Sequence, residues 1–227
     1  TVETNLMEGA LIVIFVLVLF LGNIRAGLVV ASVIPLSMFI AVIFMNAFGV
    51  SGNLMSLGAL DFGLIIDGAV IIVEAVLHRL IHNKHFSDGT LLTQGQMNDE
   101  VRGSARRMMS SAVFGQIIIL IVYLPILTLE GIEGKMFTPM AQTVSFAIIG
   151  AFILSLTYVP MMSSLLLSRR IRHSITIADR MMTLFDKLYV PTLRKAMRYP
   201  LIISFASLGA FIVSVIILLS LGGEFIP

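Results

Sequence analysis

The fold is decided by residues 54–80, LMSLGALDFGLIIDGAVIIVEAVLHRL, an apolar segment that carries the carboxylates Asp61, Asp67 and Glu74. As an α-helix this segment would be about 40 Å long, which is enough to cross a bilayer. Each ionised carboxylate at bilayer depth costs about 2.5 to 3.5 kcal/mol on insertion scales, and acids inside membranes are functional as a rule. The segment therefore predicts a transmembrane helix whose acids have a functional role. The alternative is that they only hydrogen-bond to neighbouring helices.

Helical geometry separates the three acids. Asp67 and Glu74 are seven residues apart, so they share one helix face about 10 Å apart, whereas Asp61 is turned by about 120° from Asp67. Small residues beside the acids let neighbouring helices approach closely: Gly58, Gly63, Gly68 and Ala69. We therefore expect a ladder of carboxyls about 20 Å tall that faces the interior of a helix bundle.

The composition is that of an integral membrane protein. Hydrophobic residues make up 58% of the 227 residues, charged residues make up 12%, and the mean hydropathy is +1.02. These values exclude a soluble domain, and we expect no enzymatic activity and no nucleic-acid partner. The chain has no cysteine, which excludes disulfides and thiolate metal sites. It opens at Thr1 and not at a methionine, which suggests a processed or excised piece.

Six apolar runs are each long enough to span a bilayer: residues 5–21, 28–48, 54–80, 108–129, 137–167 and 201–221. Proline lies inside three of them, at Pro35, Pro125 and Pro160. We expect kinks there and not breaks, because neighbouring helices can satisfy the freed carbonyl groups. The polar residues 87–100 and the short acidic segment 130–135 are expected to be loops.

The distribution of lysine and arginine predicts the orientation. Fourteen of the fifteen cations lie in the connections that follow the first, third and fifth runs, and only Lys135 lies on the other side. The positive-inside rule places those connections in the cytoplasm and both termini outside. In the last of them, residues 175–190 repeat apolar side chains at helical spacing opposite a polar face. This pattern predicts an amphipathic helix on the inner leaflet or, alternatively, a soluble cytoplasmic helix.

Five stretches of the sequence match a known family: GNIRAGLVVASVIPLSM (22–38), NLMSLGALDFGLIIDGAVIIVEA (53–75), YLPILTLEGIEGKMFTPMA (123–141), SLTYVP (155–160) and GGEFIP (222–227). Together they resemble the heavy-metal efflux branch of the resistance-nodulation-division (RND) exporters over nearly the whole chain. The resemblance implies an all-α membrane protein with six transmembrane helices and a cytoplasmic amphipathic helix, forming part of a twelve-helix bundle built from two parallel repeats. Residues 1–167 would hold the second to sixth helices of the pump. Residues 168–198 would hold the amphipathic helix and its linker, and residues 199–227 the seventh helix and the start of the second periplasmic segment.

The same resemblance implies a role for the acids. Asp61, Asp67 and Glu74 would form the proton relay of a metal/proton antiporter, with Asp67 as the central switch. A carboxyl that takes up a proton on one side and releases it on the other can switch helix packing. Ala75 departs from the family pattern, which has asparagine after the glutamate. The cation that faces the aspartate in the family is a lysine on a later helix, which this chain lacks.

Metal preference is predicted from two isoleucines. The copper and silver members carry methionines two residues before and five residues after the central aspartate, where this chain has Ile65 and Ile72. Thioether ligands select Cu(I), so their absence favours a divalent ion such as Zn²⁺, Co²⁺, Cd²⁺ or Ni²⁺ as the transported substrate. His78, His82 and His85 could collect metal at the cytoplasmic mouth. The simpler interpretation is that they are histidines favoured at a helix C-terminus.

For the complete pump, the resemblance implies a multi-pass protein of the inner membrane with both termini of this chain in the periplasm. It would be a homotrimer that works with a periplasmic adaptor and an outer-membrane channel. The lipid bilayer and a divalent metal ion would be its other partners, and no cofactor is expected. The alternatives are a truncated scaffold that does not transport, or a proton-driven motor for another cargo. The DFG and GGEF elements favour metal.

Overall fold

The computed structural model describes residues 2–52, 61–82, 91–169 and 177–220. These ranges form eight α-helices: α1 (Val2–Leu21), α2 (Ile24–Phe48), α3 (Phe62–His82), α4 (Gln94–Leu127), α5 (Gly131–Leu156), α6 (Tyr158–Leu166), α7 (Ile177–Arg198) and α8 (Pro200–Ser220). The predicted all-α class is confirmed. The chain divides into two compact units, Thr1–Ile177 and Ala178–Pro227.

Four helices are long and apolar enough to cross a membrane by length and composition: α2, α4, α5 and α8. In α1 the apolar part is shorter, Met7–Leu21. Helix α3 is 21 residues long but carries Asp67, Glu74 and Arg79. Four of the six predicted spans therefore have the length and composition of a span, and the crossings by α1 and α3 stay predictions.

Capping residues set the ends of α2 and the start of α4. The side chain of Asn23 accepts hydrogen bonds from the backbone N–H groups of Arg25 and Ala26, and Gly49 ends α2 in the left-handed conformation at φ 67°. Thr93 and Gln96 form a capping box at the start of α4. The prediction of a loop over residues 87–100 is therefore wrong from Gln94 onward, because this box satisfies N-terminal amides and starts the helix well before the apolar run.

The second predicted loop, residues 130–135, is also mostly helical. Helix α5 begins at Gly131, and only three residues separate it from the end of α4. Gly131 has φ 73°, a conformation that glycine adopts without strain. The chain therefore reverses over a tight turn, and the charged residues Glu133 and Lys135 lie in the first turns of a helix.

The prolines behave in two ways. Pro35 and Pro125 lie inside the continuous helices α2 and α4, as predicted. Before Pro160 the helix is interrupted for the single residue Thr157, which keeps right-handed helical angles at φ −113° and ψ −64° and separates α5 from α6, a local distortion in line with the expected kink. Proline at position 160 has no N–H to donate to the carbonyl group of Leu156 and its ring clashes with that group, which explains the interruption one turn earlier.

Helix α3 is at the centre of the first unit, where it contacts α1, α2, α4, α5 and α6. The core that surrounds it is made of β-branched and small side chains, such as Val30, Val33, Val73 and Ile148. Helices α2 and α5 approach each other closely in this core. A Cβ atom added to Gly150 would lie 2.9 Å from Cγ2 of Ile40.

The second unit contains α7 and α8. The predicted amphipathic helix over residues 175–190 is confirmed as a helix from Ile177, and it continues through Pro191 to Arg198. Its position on the membrane surface stays a prediction. Helix α8 is mostly apolar, and none of its residues is buried.

Candidate functional site

The acids lie on the face of α3 that the described chain leaves open. Large apolar residues on the other faces of this helix are buried: Phe62, Ile65, Ile66, Ile72, Val73, Val76, Leu77 and Leu80. Asp67, Glu74 and His78 are exposed at positions i, i+7 and i+11, so they form one stripe along the helix. We call these three residues the polar stripe. Asp67 and Glu74 share a face, as predicted.

The small residues beside Asp67 pack inward and not around the acid. Gly68 and Ala69 are buried, and a Cβ atom at Gly68 would lie 3.1 Å from Oγ of Ser155 on α5. The expectation that the carboxyls face the interior of a helix bundle stays a prediction, because the described helices of the first unit do not cover them. The neighbouring helices cover the glycine side of α3, and the acids point away from them.

Asp61 has a different position from the one that helical spacing predicts. It is exposed, it directly precedes α3, and its Oδ1 atom accepts a hydrogen bond of 2.8 Å from the backbone N–H of Gly63. A short carboxylate side chain at this point satisfies an N-terminal amide and is stabilised by the helix dipole. The predicted ladder of three acids within one helix is therefore wrong at Asp61, and residues 54–60 lie outside the described residues.

A buried amide lies close to the polar stripe, and the sequence interpretation missed it. Gln116 on α4 is 2% exposed, and its Nε2 atom donates a hydrogen bond of 3.5 Å to the carbonyl oxygen of Leu64 on α3. Within the described part of the chain, its Oε1 atom has no hydrogen-bond partner. The signal in the sequence is a single glutamine inside the apolar run of α4. It links the turn of α3 that carries Asp67 to its neighbour.

An ion pair fixes the other end of α3. Nε of Arg79 contacts Oε2 of Glu100 on α4, and the two side chains are 34% and 16% exposed. The guanidinium group lies over Gly103, where an added Cβ atom would be 2.7 Å from Nη1. A larger side chain at that position would displace Arg79. The contact therefore ties the C-terminal end of α3 to α4 directly after His78, the last residue of the polar stripe.

The histidines are only partly described. His78 belongs to the polar stripe, four residues after Glu74. The side chain of His82 and the whole of His85 lie outside the described residues. In the ranges that the structure describes, no group of three histidine, aspartate or glutamate side chains is placed to hold a metal ion. The histidine metal site stays a prediction.

The isoleucines that suggest a divalent substrate are buried. Ile65 is 2% exposed and Ile72 is 1% exposed, and both lie on faces of α3 that pack against other helices. A methionine at either position would therefore point into the helix packing and not onto the polar stripe.

Comparison with known proteins identifies the family. All 227 residues match the model of the AcrB/AcrD/AcrF family. The chain is 45% identical over 227 residues to the nickel and cobalt resistance protein CnrA of Cupriavidus metallidurans, covering 100% of this chain and 21% of that protein. It is 46% identical, with the same coverage, to the cobalt-zinc-cadmium resistance protein CzcA of the same organism. A crystal structure of a heavy metal efflux pump matches 70% of this chain and 15% of its own, at a TM-score of 0.60 and 40% identity.

The chain belongs to the AcrB/AcrD/AcrF family. Within it, the predicted likeness to the heavy-metal branch of the RND exporters is confirmed. The chain spans about a fifth of the length of these curated relatives.

Proposed function

We propose that this chain is the proton-relay portion of a heavy-metal efflux pump that exchanges a metal cation for protons. The observation that carries the proposal is the polar stripe. Asp67 and Glu74 lie on the open face of α3, the helix that contacts five others in its unit, whereas the large apolar side chains on the opposite side of α3 are buried. Carboxylates on the open face of a central apolar helix are costly to insert into a membrane, and acids at such positions are functional as a rule.

The polar stripe suits a relay between two halves of a pump. In the twelve-helix bundle that the family resemblance implies, the open face of α3 would meet helices of the second repeat. A cation there would neutralise Asp67, and protonation of Asp67 would release that cation. Because α3 is packed against five neighbours, a change in its pairing would move the whole first unit. Asp61, outside the helical stripe, would act as the outer relay, and Glu74 would act as the inner one.

The proposed substrate is a divalent metal ion. Two relatives at 45–46% identity have names that specify nickel and cobalt or cobalt, zinc and cadmium. A cation efflux system protein of Escherichia coli, CusA, is 31% identical. The absence of thioether side chains at Ile65 and Ile72 supports the same assignment. The proposed setting is the inner membrane, in a homotrimer with a periplasmic adaptor and an outer-membrane channel, with the basic connections in the cytoplasm.

Proton-coupled metal flux in liposomes tests the relay. The whole protein that carries this chain is reconstituted as wild type and as Asp67→Asn, which keeps the size of the side chain but removes the titratable proton. Moving one charge across 100 mV is worth about 2.3 kcal/mol, and without the carrier this energy cannot drive transport. We expect Asp67→Asn to abolish flux that is driven by a pH gradient, and Glu74→Gln to slow it.

The matched control is Asp99→Asn, the same substitution at an exposed position of α4 before its apolar run. It should transport like wild type at equal protein level. Wild-type flux from Asp67→Asn would show that this carboxyl is structural and would remove the centre of the proposed relay. An equal loss in Asp99→Asn would show that the assay reports insertion and not coupling.

A further inference from the structure

A cavity of about 570 Å³ lies where α3, α4, α5 and α6 meet, away from the polar stripe. Its apolar lining consists of Ile72, Val101, Ala105, Met109, Leu156 and Pro160. Its polar lining consists of Asn98, Arg102, Arg106 and Ser164. The cavity thus combines an apolar wall with polar side chains that come mostly from one helix.

The two arginines stand at the boundary of the apolar region. Arg102 and Arg106 are four residues apart on α4, so they project from the same face of the helix. The apolar run of α4 begins just after them, at residue 108. A group held by these arginines would therefore lie at the level where the helix enters the membrane, with the apolar wall of the cavity extending from it.

The other polar groups leave the cavity rich in donors. Nε2 of Gln94 donates a hydrogen bond of 3.0 Å to Oδ1 of Asn98. The side-chain oxygen of Asn98 is therefore engaged, and its amide N–H groups can donate to a ligand. The hydroxyl group of Ser164 donates to the carbonyl oxygen of Met161 at 2.8 Å. The donors available to a ligand are therefore Asn98 and the two guanidinium groups.

The positive charge of these arginines is not cancelled by the described chain. Among the described residues Glu100 pairs with Arg79 of α3, and no ion pair to Arg102 or Arg106 occurs. Two cations beside an apolar cavity attract an anion that brings apolar surface with it. A soluble anion would leave the apolar wall unused.

We propose that this cavity binds an anionic phospholipid, with its phosphate on Arg102, Arg106 and Asn98 and the first part of an acyl chain against Ile72, Leu156 and Pro160. Basic pockets between membrane helices bind anionic lipid headgroups in this way. A zwitterionic lipid fits less well because its own cationic group would lie next to the two arginines.

Native mass spectrometry of the whole protein in detergent tests the site. The protein is incubated with phosphatidylglycerol or phosphatidylcholine of identical acyl chains, and the bound fractions are compared. Each arginine near a membrane surface contributes about 1 kcal/mol to the attraction of an anionic lipid, or about fivefold in affinity. We expect wild type to retain phosphatidylglycerol preferentially. Arg102→Gln and Arg106→Gln should each weaken its binding about fivefold.

Arg107→Gln is the matched control, because Arg107 is exposed on the same helix but does not line the cavity. It should bind phosphatidylglycerol like wild type. An equal loss in Arg107→Gln, or no loss in either cavity variant, would overturn the proposal. So would equal retention of phosphatidylcholine by wild type.

Two measurements on the wild type keep the test independent of how the variants fold. A photoactivatable phosphatidylglycerol should cross-link to the peptide that contains residues 98–109, and cross-linking elsewhere alone would contradict the site. Added inorganic phosphate should not displace the lipid, because the apolar wall contributes to binding. Displacement by phosphate would show a site for soluble anions and would refute the lipid assignment.

Discussion

Gly150 lies where α2 and α5 pack closely against each other, and Gly150→Ala tests that packing. The added Cβ atom would lie 2.9 Å from Cγ2 and 3.0 Å from Cβ of Ile40, and 3.4 Å from the carbonyl oxygen of Ser37. Ile40 is β-branched and held on α2, so it cannot swing aside without leaving its preferred rotamer. Helices α2 and α5 would have to separate by several tenths of an ångström. Overpacking of this kind costs about 1 to 3 kcal/mol.

The matched control is Gly115→Ala on α4, where nothing lies within 4 Å of the added Cβ atom. Both substitutions gain the same intrinsic helix propensity, so their difference isolates the steric cost. Unfolding of the purified protein in mixed micelles, titrated with sodium dodecyl sulfate, measures both. We expect Gly150→Ala to be less stable than Gly115→Ala by about 1 to 3 kcal/mol.

A double variant adds a second check on the same contact. Ile40→Ala removes the Cγ2 atom, so Gly150→Ala combined with Ile40→Ala should cost less than the sum of the two single substitutions, by about 0.5 kcal/mol or more. If Gly150→Ala were as stable as Gly115→Ala, the close approach of α2 and α5 would be refuted. If the two costs were simply additive, the clash would not involve Ile40.

Three further predictions concern orientation, substrate and the ion pair. In a cysteine-free background, Ile132→Cys should react with an impermeant thiol reagent in intact cells and Gly95→Cys only after permeabilisation; the reverse pattern would invert the proposed orientation. The whole protein should protect a pump-deficient host from zinc, cobalt or cadmium more than from silver, and dominant silver resistance would contradict the divalent assignment. Glu100→Gln should lower the free energy of unfolding by about 1 kcal/mol because Arg79 loses a charged partner. The reversed pair, Arg79→Glu with Glu100→Arg, should recover part of that loss in a double-mutant cycle, and no recovery would show that the contact is not electrostatic.

The sequence predicts elements whose causes are local. The apolar runs, the amphipathic pattern of α7 and the shared face of Asp67 and Glu74 all follow from helical spacing. In the ranges that the structure describes, the runs and α7 are confirmed as mostly helical, and the two acids share a face. Two helix starts were missed because weak cues in polar segments decided them: the capping pair Thr93 and Gln96, and the positive φ of Gly131.

What the sequence could not predict depends on contacts between distant segments. Helical spacing places the acids relative to one another but does not say which face of α3 the other helices cover. The covered face is set by Gly68 and Ala69, which pack against α5 and other helices. The role of Gln116 also depends on its reaching α3 from a helix fifty-two residues further along the chain. Helical spacing predicts Asp61 inside the helix. The sequence alone does not distinguish an aspartate that accepts a hydrogen bond from the N–H of Gly63 at the helix start from an aspartate within the helix.

The pairing of α2 with α5 also determines when the core of this unit can fold during synthesis. Helix α2 presents a row of small and branched side chains that α5 covers, yet α3 and α4 lie between them in the chain. At a synthesis rate of about 5 to 20 residues per second, the end of α5 leaves the ribosome roughly 5 to 20 s after the end of α2. During that interval lipid tails, or the insertion machinery, must cover the face of α2. Only a chain that has been translated through residue 156 can therefore close this core.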